Sequence, residues 1–126
     1  NIATIIAYVW FMKKRKHTSQ QEAVRKRWKI HIMQEKDYTE NCAGWMVERI
    51  ESLIDHMQYG CALIAYHKQD GTFKLVRATL LPYKNAFKKE YDMAKITGAV
   101  AYWDIELQAW RTFRMENFLE WRAVVG

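Results

Sequence analysis

Two groups of cations are the residues here whose types and spacing suit chemistry, and that chemistry is the binding of anions. Lys13, Lys14, Arg15 and Lys16 are consecutive, and Arg25, Lys26, Arg27 and Lys29 follow closely. Much later, Lys74 and Arg77 stand three apart, and Arg111 and Arg114 flank Phe113. Ammonium and guanidinium groups hold phosphate oxygens, and aromatic rings among them stack on exposed bases at about 1–3 kcal/mol each. Trp103, Trp110 and Trp121, with Tyr66, Tyr102 and Phe113, are the candidate rings. Each set also has a plainer role. The early cations can be the solvated face of a helix. Arg111 and Arg114 can pair with Asp104 or Glu116 inside the same domain. Ile64, Tyr66, Val100, Tyr102 and Phe113 are expected to fill a core.

Other chemistries find little to work with. The only serines are Ser19 and Ser52, and neither lies in a Gly-x-Ser-x-Gly elbow. Cys42 and Cys61 have no telling histidine partner, although His56 is five before Cys61. A zinc site calls for paired ligands such as Cys-x-x-Cys or His-x3-His, and His17, His31, His56 and His67 are scattered instead. No glycine-rich phosphate loop is present. These readings point to a protein that is not an enzyme, with no cofactor, no metal and no small-molecule substrate.

With 126 residues, half of them hydrophobic, one Pro and five Gly, the chain can fill one core. That excludes a disordered tail, a collagen-like chain and a low-complexity linker. Two cysteines are too few for a disulfide framework and fit a reducing, cytoplasmic setting. The net charge of +6 makes nucleic acid or an acidic surface a candidate partner. Residues 1–36 carry nine Lys and Arg against two Glu, whereas residues 37–126 carry eleven against twelve Asp and Glu. All the excess positive charge therefore lies in the first third, as in an arm that seeks phosphate.

The elements that must position these groups follow from periodicity. Ile2 to Met12 is nearly all apolar and runs into the basic cluster. The order resembles the end of a membrane span, but about 20 apolar residues are needed to cross a bilayer and only eleven are here. Three readings stay open: a true start at Met12, a membrane anchor cut short, or a buried helix or strand of the domain. The preferred one is an incomplete or over-extended start on an otherwise soluble protein. Ser19 to Lys36 reads as a helix, capped at Thr18 or Ser19 with Glu22 closing a capping box. Val24, Trp28 and Ile32 form its apolar stripe, with Ala23, Ile30 and Met33 nearby. A second helix is expected over 42–57 with Trp45, Met46, Ile50, Leu53, Ile54 and Met57 inward, ending at Gly60. Trp28 and Trp45 are both expected to be buried.

From Tyr59 the period falls to two. Strands are expected over 59–67, 72–81, 97–104, 109–114 and 118–125. Asp70-Gly71 makes the first hairpin, because this pair suits the positive φ of a tight turn. Pro82 ends the second strand. Tyr83–Ile96 holds at most a helical turn, and Met115-Glu116-Asn117 is another. Five short strands with a one-turn helix before the last is the pattern of a small barrel. The fold class read here is α+β: an N-terminal helical pair followed by a five-stranded antiparallel SH3-like or Sm-like barrel. Its parts are an apolar and basic segment over 1–18, two helices over 19–58 and the barrel over 59–126.

Several motifs carry a resemblance. Gly60-x-Ala62-x-Ile64-x-Tyr66-x-Lys68-x-Asp70-Gly71 leads into Lys74-x-x-Arg77-Ala78-Thr79-Leu80, and Tyr102-Trp103-Asp104-Ile105-Glu106 and Trp110-Arg111-Thr112-Phe113-Arg114-Met115-Glu116-Asn117-Phe118 follow. Over about 59–122 the chain resembles the second WYL-type family of Sm-like, SH3-like barrels, found in Bacteroides-type bacteria and their phages. Ala78 replaces the family's usual Gly before Thr-Leu, and Leu81-Pro82 its usual Asn-Pro. The resemblance implies the barrel, and more loosely a part in sensing ligands or nucleic acid. The expected function is thus a regulatory or phage and mobile-element accessory protein that binds DNA or RNA. Phosphate contact would come from the basic helix, with Lys74, Arg77, Arg111 and Arg114 adding a second surface. A protein-docking module, tethered to a membrane if residues 1–12 belong to an anchor, is the alternative.

Overall fold

A computed structural model describes the backbone of residues 1–125 and the side chains of 1–6 and 20–125. The chain opens with one long helix, α1 (Ile2–Glu35), followed by α2 (Glu40–Met57). The expected start of the first helix at Ser19 is therefore corrected, since the helix runs through that position without a break. Ile2–Met12 has neither Pro nor Gly to stop it. Of the three readings open for this stretch, that of a buried helix does not hold for its first residues, because Ile2, Ile5 and Ile6 are 76%, 61% and 63% exposed. Among the described residues no helix is long and apolar enough to cross a membrane.

α2 starts at a Thr39 cap, whose hydroxyl accepts from the Cys42 N–H at 3.2 Å. Met46, Ile50, Leu53, Ile54 and Met57 face the core as expected. Trp45 does not: it is 47% exposed, whereas Trp28 on α1 is fully buried. Trp45 lies next to Met46 on the rim of the stripe, and α1 and the sheet already cover the centre of the α2 face. Trp28 is the indole that bridges, donating its Nε1–H to the Ile96 carbonyl at 3.2 Å.

Five strands form one antiparallel sheet in the order β4-β3-β2-β1-β5. They are β1 (Cys61–His67), β2 (Phe73–Thr79), β3 (Ala99–Asp104), β4 (Ala109–Arg114) and β5 (Phe118–Ala123). A short helix α3 (Tyr83–Phe87) and a 3-10 turn (Met93–Lys95) fill the link between β2 and β3. A second 3-10 turn, Met115–Asn117, separates β4 from β5, where one was expected. The sheet curls as a small barrel does but does not close. β2 and β3 pair only at Ala78↔Asp104 and Thr79↔Trp103, and β1 is bulged against β5 between Ala65 and Tyr66. Such irregularities let a short sheet bend sharply.

The first hairpin forms at Asp70-Gly71, though with a different loop. Only Gly71 has positive φ, at 88°. Its N–H donates to the Lys68 carbonyl at 2.9 Å, and the Lys68 N–H donates to the Thr72 carbonyl at 2.8 Å. This is a three-residue loop closed by a left-handed glycine. Asp70 braces it by accepting from the N–H and hydroxyl of Thr72.

Strand alternation sets the core. Ala62, Ile64 and Tyr66 of β1, Val76 and Ala78 of β2, Val100 and Tyr102 of β3, and Phe113 of β4 point inward, and α2 and Trp28 and Ile32 of α1 cover them. The helices thereby supply burial that so small a barrel lacks alone.

Candidate functional site

At one end of the barrel the inward rows finish in cations. Lys74 is directly across from Tyr66, and Arg111 directly across from Tyr102. Beneath them the two tyrosine hydroxyls share a hydrogen bond of 2.6 Å, and Phe113 stacks on Tyr66 with ring centroids 5.4 Å apart. Burial, and then the bond to Tyr66, raise the Tyr102 pKa far above the usual phenol range. Tyr102 is therefore a neutral phenol, and Tyr66 and Phe113 form the floor beneath the cations. Above it lies a groove of about 350 Å³ between the first hairpin and β4, whose lining includes Lys68, Lys74, Arg111 and Arg114 and no carboxylate.

Arg111 and Arg114 are three apart and so leave β4 on opposite rows. Both still reach the groove, because the chain turns into Met115–Asn117 straight after Arg114. Arg114 donates from Nε to Glu116 at 3.0 Å, and His31 Nε2 lies 3.3 Å from the other oxygen of that carboxylate. Burial alone would raise the Glu116 pKa, but its own backbone N–H, Arg114 and His31 outweigh burial and hold it below the ordinary value. Asp104 is not a partner of either arginine. Its carboxylate accepts from the N–H groups of Glu106 and Leu107, each at 3.1 Å, and so braces the turn between β3 and β4.

A second groove, of about 600 Å³, adjoins the first and shares Arg111 and Thr112 with it. Its walls are aromatic: Tyr83, Phe87 and Trp110, with Lys89 at the rim. Phe87 and Trp110 stand 5.1 Å apart by ring centroid, and Phe87 is nearly half exposed.

The structure divides the remaining candidates. Arg77 sits on the outward row of β2, opposite Leu63 and away from the groove. Strand alternation dictates this, since residues three apart cannot share a face. On α1, Arg25 makes a two-armed ion pair with Glu51, Arg27 donates to the carbonyls of Ala94 and Ile96, and Lys29 donates to Glu40 at 3.0 Å. These three cations fasten α1 to the body, and Lys26 is exposed. Lys13, Lys14, Arg15 and Lys16 fall outside the residues whose side chains are described. A third groove, of about 490 Å³ between α1 and α2, has mixed charge, because Glu22, Glu40 and Glu48 line it beside Arg25, Lys26 and Lys29.

Lys68 and Lys89 were not singled out as binding residues by sequence. Lys68 could have been, since it opens the hairpin loop whose position Asp70-Gly71 marks. Among the described residues no group of three or more His, Cys, Asp or Glu comes together to hold a metal. Cys42 and Cys61 are free thiols.

Strand order, the 3-10 turn before the last strand and the two grooves define a small Sm-like, SH3-like barrel with a cationic mouth. The family model described as WYL_2, Sm-like SH3 beta-barrel fold, matches residues 50–119, and the chain belongs to that family. No curated protein and no solved structure matches the chain.

Proposed function

We propose that this barrel is a binding protein, not an enzyme, and that its ligand is single-stranded nucleic acid. It would serve as a regulatory or phage and mobile-element accessory factor in the cytoplasm. The observation that carries this reading is the sharing of Arg111 between a groove lined by four cations and a groove walled by three aromatic rings. Phosphates need the first and unstacked bases need the second. In a duplex the base faces are already stacked inside and unavailable to rings. The basic helix contributes less to this reading than its charge implies, because Arg25, Arg27 and Lys29 are engaged within the domain.

Fluorescence anisotropy with labelled 20-mers tests it. Single strands are expected to bind more tightly than the matching duplex. Replacing Lys74 and Arg111 together by Gln should flatten the log–log salt slope by about 1.4, at about 0.7 per lost contact on a single strand. Trp110→Ala should cost about 1–3 kcal/mol with little change of slope. Replacing Lys26 and Lys29 by Gln should leave the slope nearly unchanged. If neither DNA nor RNA binds at low salt, the reading fails and the grooves belong to a protein partner.

A further inference from the structure

The first turns of α1 have no counterpart in the nucleic-acid reading. We propose that Ile2–Met12 inserts into an anionic lipid surface, with Lys13–Lys16 on the headgroups. Three observations support this independently of the grooves. First, Ile2, Ile5 and Ile6 stand open to solvent on a helix whose first described core contact is at Val24. Second, Ile2–Met12 has Thr4 as its only residue outside the hydrophobic set, so a helix of this composition has no polar face. A second copy or a protein groove would cover one apolar stripe and call for a polar remainder, whereas lipid suits a segment that is apolar all round. Third, Tyr8, Trp10 and Phe11 come immediately before Lys13-Lys14-Arg15-Lys16. Aromatic residues followed by cations is the order found where hydrocarbon meets headgroups, and four adjacent cations complement anionic lipid. Eleven helical residues extend about 16 Å, roughly half of a hydrocarbon core of about 30 Å. Insertion of these residues holds the barrel near the surface.

Flotation of the 126-residue chain with vesicles tests this. The chain should float with phosphatidylcholine and phosphatidylglycerol mixed three to one, and poorly with phosphatidylcholine alone. A substantial fraction should stay bound in 0.5 M NaCl, since apolar insertion is not screened. The triple change Ile2→Asp, Ile5→Asp and Ile6→Asp should abolish flotation. Those side chains are exposed, so the variant should keep the parent circular dichroism spectrum and melting point. Replacing Lys13, Lys14, Arg15 and Lys16 by Gln should weaken binding to the anionic vesicles at least tenfold. The groove variant with Lys74→Gln and Arg111→Gln should float like the parent, which separates this proposal from the nucleic-acid reading. Failure to float on anionic vesicles overturns it. So does flotation that the isoleucine changes leave intact, which would be surface charge alone. A dimer abolished by those changes, with no flotation, would make a second copy the occupant and refute lipid insertion.

Discussion

The hydroxyls of Tyr66 on β1 and Tyr102 on β3 are hydrogen-bonded to each other at 2.6 Å inside the barrel, where Lys74 lies across from Tyr66 and Arg111 across from Tyr102. Both rings are buried, Tyr102 completely. Either single change to Phe leaves the other hydroxyl without this partner and should cost about 1–3 kcal/mol. Removing both hydroxyls leaves no orphan. Urea denaturation of the double variant should therefore show less destabilisation than the sum of the singles. Strict additivity would mean that the two hydroxyls are not coupled.

Gly98 is where α1 meets the barrel. A methyl group there would lie 2.8 Å from His31 Cε1 and 3.0 Å from Nε2. His31 cannot easily retreat, because its ring is mostly buried and paired with Glu116. Gly98→Ala should destabilise the protein by about 1–3 kcal/mol through overpacking. His31→Ala in the same chain should relieve part of the loss. A neutral Gly98→Ala would show that the helix is not seated against this bend before β3.

Acid should loosen the same joint. The folded state holds the Glu116 pKa below its ordinary 4.5. The unfolded chain then binds this proton more readily than the folded one. The stabilisation is fully present above the ordinary value and is lost as pH falls from about 4.5 through the lower folded value. Melting points measured from pH 6 to pH 3 should drop more steeply for the parent than for Glu116→Gln. Equal slopes would mean that Glu116 is not the group responsible.

Trp28 joins three parts of the molecule, packing among core residues and bonding to the Ile96 carbonyl. Trp28→Phe keeps most of the packing and removes one hydrogen bond to that carbonyl, which still accepts from Arg27, for a loss of about 0.5–1.5 kcal/mol. Trp28→Ala adds a cavity and should cost about 3–5 kcal/mol. Trp45→Ala, at an exposed position, should stay within about 1 kcal/mol. Thermal melts of the three variants would give this order, and a larger loss at Trp45 would contradict it.

Local pattern determined most of the fold from sequence alone. Alternation placed Ile64, Tyr66, Tyr102 and Phe113 inward, the 3.6 period placed Val24, Trp28 and Ile32 on one stripe, and Gly71 marked the hairpin because only a residue without Cβ turns cheaply there. These signals act between residues a few positions apart, so they are written in order along the chain. Tertiary structure decided which cations line the groove at the mouth. Arg25 finds Glu51, His31 and Arg114 converge on Glu116, and Asp104 turns to its own hairpin, leaving Lys74 and Arg111 at the mouth. It also decided that Trp28 and not Trp45 is covered. The Arg25–Glu51 and His31–Glu116 contacts join groups 26 and 85 residues apart in the chain, and composition holds no record of such meetings, whereas the Arg114–Glu116 pair is local and was open to sequence reading.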